Sequence, residues 1–168
     1  MRLVRPRLDD LDAALAGDDA LARSLGVAVV PGWVSFTEAL DHTRAAIAAD
    51  PTRTNWGTRL FVDGDPPELV GWGGFKGPPA GGVVEIGYEI AESRRNRGLA
   101  TAAVRAMVSE AFAGEDVTEV IAHTLPERNA SNRVLETAGF GFEGETVEGG
   151  EPVWRFRLAR IDALADRL

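Results

Sequence analysis

Ala91-Glu92-Ser93-Arg94-Arg95-Asn96-Arg97-Gly98-Leu99-Ala100-Thr101-Ala102-Ala103 sets three arginines directly before a glycine and an alanine-rich run. The cluster stands out because the 168-residue chain holds 26 acidic against 18 basic residues, a formal net charge of -8. Downstream, Leu99, Ala103, Ala106 and Met107 share one face of a helix expected from about Gly98 to Phe112. A helix start presents unpaired N–H groups and the positive end of a dipole, so a turn feeding into one can hold an anion. Gly98 lets the anion approach the backbone, Ala100 keeps the first turn unobstructed, and Arg95 and Arg97 can add charge-assisted hydrogen bonds. An arginine cluster alone is an ordinary solvated face; the glycine and the helix behind it point to phosphate.

Working outward, Thr58 to Val62, Leu69 to Phe75 and Val83 to Ile90 read as strands of an antiparallel meander, separated by Gly- and Pro-rich turns. Beyond the helix, Thr118 to Thr124 reads as a strand and Ala130 to Ala138 as a helix capped by Asn129 and stopped by Gly139. Phe140 to Glu143 and the alternating Trp154, Phe156 and Leu158 complete the strands, leaving Glu143 to Glu151 as an acidic loop. Near the N-terminus, Leu3 to Leu8 suggests a strand and Asp9 to Ala16 a helix. Ser35-x-x-Glu38 predicts a capping box opening a second helix, with Phe36, Leu40, Thr43 and Ile47 on one face. The expected order is β-α-α-β-β-β-α-β-α-β-β, an α+β fold in a single domain spanning residues 1–168.

With 45% hydrophobic and 26% charged residues the chain has the composition of a soluble globular protein, expected in the cytoplasm. It has no cysteine and only two histidines, His42 and His123, so no metal is expected. The first ten residues are too charged for a signal peptide, and the apolar stretch from Gly26 to Val34 is short and broken by Pro31, so no membrane segment is expected. The acidic balance argues against nucleic acid. A Walker-type phosphate loop is absent, and Gly71-Trp72-Gly73-Gly74-Phe75-Lys76-Gly77 fails the dinucleotide fingerprint because Lys76 stands where its last glycine belongs.

Arg95-Asn96-Arg97-Gly98-Leu99-Ala100 matches the [RQ]-x-x-G-x-[GA] loop of the GCN5-related N-acetyltransferases (GNAT), following a Glu85-Ile86-Gly87-Tyr88-Glu89-Ile90 strand as that family's fourth strand does. A second block, His123 to Phe140 with Asn129, Ser131, Asn132 and a closing Gly139-Phe140, resembles the branch of ribosomal-protein acetyltransferases of the RimJ/RimL type. The motifs cover roughly residues 58 to 144. Asn96 stands where this branch frequently has glycine; asparagine tolerates left-handed backbone angles.

The resemblance implies a mixed, mostly antiparallel sheet of six to seven strands with about four helices on both faces and a V-shaped opening between the fourth and fifth strands. It implies an enzyme, an N-acetyltransferase that moves an acetyl group from acetyl-CoA to a primary amine by direct attack in a ternary complex. Pantetheine would pair with the backbone near Ile90, Ala91 and Glu92, and the segment Arg95, Asn96, Arg97, Gly98, Leu99, Ala100 and Thr101 would hold the pyrophosphate. Asn129, Ser131 and Asn132 would face the cofactor from the next helix, although Asn129 can equally serve as a cap. Glu85 is the expected base, with Glu89, on the same strand face, as its understudy. Many family members place a tyrosine where this chain has Leu135, to protonate the leaving thiolate; Tyr88 is expected to pack in the sheet and is not expected to be that acid. The acceptor is a protein N-terminus or a small, cationic amine; a noncatalytic acyl-CoA-binding module is the other reading. Monomer and homodimer both remain open.

Overall fold

The computed structural model describes residues 1–165. Strand β1 (Arg2–Val4) is followed by helices α1 (Leu8–Ala16) and α2 (Asp18–Leu25), strand β2 (Ala28–Val29), helix α3 (Glu38–Ala49) and a 3-10 turn at Pro51–Thr54. The meander β3 (Thr58–Asp63), β4 (Glu68–Phe75) and β5 (Val83–Ile90) comes next, then a 3-10 turn at Glu92–Arg94, α4 (Leu99–Ala111), β6 (Glu119–Thr124) and α5 (Ala130–Thr137). The hairpin β7 (Gly141–Glu148) and β8 (Glu151–Ala159) and helix α6 (Arg160–Ala165) complete the described residues.

The eight strands form one mixed sheet in the order β1-β3-β4-β5-β6-β8-β7, with the short β2 beside the start of β4. β3, β4 and β5 are antiparallel neighbours, as alternation predicted, whereas β5 and β6 run parallel. That parallel pair is hydrogen-bonded in register only from Val83 to Glu85 on β5 and Glu119 to Ile121 on β6, so the two strands part beyond Glu85. This is the V-shaped opening.

Alternation assigns the two faces of the sheet. Phe61, Val84, Ile86, Val120, Ala122 and Phe156 point to a core closed by Ala103, Val104 and Met107 of α4 and Leu135 of α5. Leu60, Val62 and Leu69 point the other way, to a second core with Leu11, Leu21, Trp33, Leu40 and Ile47 from the N-terminal segments. Glu85, Gly87 and Glu89 fall on this second face by the two-residue period.

Three readings of the sequence change. The acidic segment from Glu143 to Glu151 is not a loop but the hairpin β7–β8, turned by Gly149 and Gly150 with φ of 59° and 89°. Two consecutive left-handed residues make the type I′ turn that matches strand twist. Nor does Ser35 cap α3: the N-cap is Thr37 in a helical conformation with no side-chain cap. Ser35 instead donates its N–H to Glu89 Oε2 at 3.1 Å and its hydroxyl to Glu89 Oε1. Phe36, expected on the buried face, is 71% exposed. Finally, α2 lies in a stretch where no helix was expected, and its Leu21 is fully buried.

Candidate active site

The loop after β5 takes its shape from two left-handed residues. Asn96 has φ 58°, the one positive value among described non-glycine residues, and Gly98 has φ 75° as the N-cap of α4. Asparagine and glycine are the residues that tolerate this region. Between them the chain reverses, and the first N–H groups of α4, which have no intrahelical acceptor, open onto solvent.

Those groups border a cleft of about 630 Å3, within the range of small-molecule sites. One wall is β5, from Tyr88 to Ile90; another is Arg95, Asn96 and Gly98 to Thr101; the third is α5, with Asn129, Ser131, Arg133 and Val134. Of the sequence-predicted cofactor residues, Ile90, Arg95, Asn96, Gly98, Leu99, Ala100, Thr101, Asn129 and Ser131 are brought together here. Ala91 is fully buried, and its N–H goes to the Val70 carbonyl at 2.9 Å. Glu92 and Arg97 are exposed outside the walls.

Asn132 is 4% exposed and turned into the fold. Its Oδ1 accepts the Asn129 N–H at 2.6 Å, its own N–H goes to Asn129 Oδ1 at 3.1 Å, and its Nδ2 donates to Thr124 Oγ1 at 2.9 Å. The two asparagines thus form a reciprocal cap that fixes α5 against β6, while Asn129 also lines the cleft. Arg94 is held at the rim by Glu68 at 2.9 Å, and Arg95 Nε donates to the Ile90 carbonyl at 3.2 Å. Sequence reasoning missed Arg133, a cleft cation whose only signal is its place one helical turn after Asn129.

A second, shallow hollow of about 260 Å3 adjoins the cleft, and Tyr88 and Glu89 line both. Glu89 is held there by Ser35 and by Trp72 Nε1 at 3.0 Å. The Tyr88 hydroxyl donates to the Ser131 carbonyl at 3.3 Å. Burial pushes this phenol up to about 12, with the Ser131 contact pulling weakly the other way. Leu135, at the position of the family's tyrosine, is fully buried in the first core.

Glu85 sits where β5 and β6 part. Its Oε1 meets His123 Nδ1 at 2.9 Å and the Lys76 ammonium, which also binds Glu148 at 3.0 Å. Glu85, His123 and Glu148 present ligand-type atoms within 4.8 Å of one another, and Lys76 supplies a cation among them. Burial lowers the Lys76 ammonium's affinity for its proton, but the two carboxylates outweigh burial and leave its pKa raised.

A family model described as an acetyltransferase (GNAT) domain matches residues 1–141. The uncharacterized N-acetyltransferase YjdG of Bacillus subtilis (strain 168) is 28% identical over 141 residues, spanning 82% of this chain and 84% of that protein. Aminoglycoside acetyltransferase AAC(6')-Ib, solved with coenzyme A and kanamycin, superimposes with a TM-score of 0.71 at 18% identity, covering 99% of this chain and 98% of that one. RimJ of Mycobacterium smegmatis, solved with CoA-disulfide, does so with a TM-score of 0.68 at 21% identity, covering 95% and 82%. The two structural likenesses are likenesses of fold. With the family model spanning most of its length, and a sheet that opens where that fold opens, the chain belongs to the acetyltransferase (GNAT) family of N-acetyltransferases.

Proposed function

We propose that this chain carries acetyl-CoA in the cleft at the start of α4 and transfers its acetyl group to a primary amine entering from the second hollow. The observation that carries this reading is that Tyr88 and Glu89 line both hollows, which supports direct attack of the amine on the thioester without a covalent enzyme intermediate. Arg95 and the N–H groups of Leu99 to Thr101 hold the pyrophosphate, supported by Arg133. The His123-to-Phe140 block favours the RimJ/RimL-type branch, and the coenzyme A on AAC(6')-Ib and the CoA-disulfide on RimJ support the choice of donor.

The amine must lose a proton before it attacks. For a lysine-like amine this costs about 4.6 kcal/mol at pH 7, so a base matters. Two carboxylates on one face of β5 can take the proton. Glu85, favoured by its position in the strand, already carries the Lys76 ammonium. Among the described residues Glu89 accepts from the neutral donors Ser35 and Trp72, and it lines both hollows, so we assign it as the base. Tyr88, protonated throughout the neutral range, offers a hydrogen bond to the departing thiolate while keeping its proton, which its phenol holds more tightly than a thiol does.

Thiol release from acetyl-CoA over a panel of primary amines, with coenzyme A binding measured in parallel, tests the reading. Glu89→Gln is expected to lower kcat roughly 100-fold at pH 7 and to recover as pH rises, with coenzyme A binding unchanged. If Glu85→Gln shows that pH-dependent loss and Glu89→Gln does not, the base is Glu85. Tight coenzyme A binding without transfer to any amine would make the chain an acyl-CoA-binding module.

A further inference from the structure

Three glycines, Gly73, Gly74 and Gly87, line the second hollow, and two of them, Gly74 and Gly87, paired across β4 and β5, leave bare the face that carries Trp72 and Glu89. Gly73 and Gly74 are imposed by packing. A Cβ on Gly73 would lie 2.3 Å from the Gly87 carbonyl oxygen and 2.8 Å from Tyr88 Cα, and one on Gly74 would lie 2.3 Å from the Gly57 carbonyl oxygen. Gly74 also has a φ of 138°. β4 could not pass its neighbours with side chains there.

Gly87 has no such reason. A Cβ built on it meets nothing within 4 Å, and its φ lies outside the left-handed region. It sits in the middle of β5, where glycine is less stable than alanine and often marks a place where a ligand or another backbone comes close. Its missing side chain points to the same face as Glu85 and Glu89. The space it leaves is bounded at one end by the Glu89 carboxylate, beside the cofactor cleft, and at the other by Lys76.

We infer that Gly87 is the specificity-determining residue of the acceptor site, holding open a trough for a primary amine on an unbranched aliphatic chain. This rests on the acetyl-transfer reading above. The ammonium is drawn to Glu89, and the methylenes lie over Gly87 and its cross-strand partner Gly74, beside Trp72. An α-amine of a peptide, whose branched carbon adjoins the nitrogen, fits this floor less well than a slender alkylamine.

The test is steady-state acetylation of n-alkylamines and of short peptides by the wild type, Gly87→Ala and Gly87→Val, with coenzyme A affinity and thermal unfolding measured for each. Both variants are expected to fold, because valine suits a strand and no neighbour is met, and to bind coenzyme A as the wild type does. Gly87→Val is expected to raise the KM for the alkylamine at least about tenfold, the scale on which a methylene-sized change in a pocket discriminates. Gly87→Ala should fall between. Unchanged KM in the valine variant, or a wild type that prefers peptide α-amines, overturns the inference while leaving acetyl transfer intact. A wild type that acetylates no amine overturns both.

Discussion

Tyr88 lines both hollows, and burial pushes its phenol up to about 12, so its hydroxyl keeps its proton across the neutral range and can offer a hydrogen bond to a leaving thiolate. Removing that donor leaves the thiolate, with a solution pKa of roughly 8.5, to depart unassisted; Tyr88→Phe is therefore expected to lower kcat about 10- to 30-fold, with KM for acetyl-CoA little changed. Full kcat in stopped-time thiol assays would take the hydrogen-bonding role away from Tyr88. The same residue makes a stability prediction. Its folded pKa lies above the unfolded value of roughly 10, so between pH 10 and 12 the unfolded chain sheds a proton that the folded chain keeps. The contribution is complete below about pH 10 and falls as pH rises, by on the order of 2 kcal/mol. Urea unfolding at pH 9 and pH 11 should show this loss in the wild type and less of it in Tyr88→Phe.

At the scale of elements, β3, the 3-10 turn at Pro51–Thr54 and α4 are tied by one side chain. Arg59 on β3 is fully buried; its Nε and Nη2 bind both oxygens of Glu110 on α4 at 3.0 and 2.9 Å, and it also donates to the carbonyls of Thr54, Asn55, Gly57 and Thr58. Arg59→Met is expected to destabilise by about 3–5 kcal/mol, because it strands those acceptors and the partner carboxylate. Burial pushes Glu110 up, but hydrogen bonds and charge from Arg59 and Arg5 more than offset it and leave its carboxyl below the ordinary range. Its contribution is therefore present above pH 4.5 or so and lost as pH falls through the folded value. Glu110→Gln should flatten acid unfolding monitored by circular dichroism.

This scale also separates what local pattern reveals from what it cannot. The β3–β5 meander, α4, β6 and α5 were legible because their periods of 2 and 3.6 are decided by neighbouring residues. Asn96 was legible as a left-handed position for the same local reason. Ser35 was not: its hydroxyl had two possible acceptors, a helix start next to it and a carboxylate 54 residues away, and the distant partner prevailed. Asn132 likewise looked like a cofactor contact, whereas its amide reaches Thr124 beneath the helix. The loop that borders the cleft was legible from its residues; the second hollow, assembled from β4 and β5 across the sheet, depends on a pairing register that no local pattern gives.

For the whole molecule, β5 and β6 are joined at one end and apart at the other, so the two halves of the sheet meet along a short seam. A ligand filling the gap joins them again. Saturating coenzyme A, at about 100 times its dissociation constant, should add about 2.7 kcal/mol and raise the thermal midpoint by roughly 5–10 °C. Arg95→Ala should shrink that shift in differential scanning fluorimetry while leaving the ligand-free midpoint in place. The same parting has a further consequence. From Ile86 to Ile90 the side of β5 that faces β6 has no strand beside it. An edge of this kind is normally found at the rim of a sheet, where it can template growth by added chains; here it lies inside the molecule. On the proposed reading, coenzyme A in the gap masks this internal edge, so loss of the ligand during storage should first appear as light scattering.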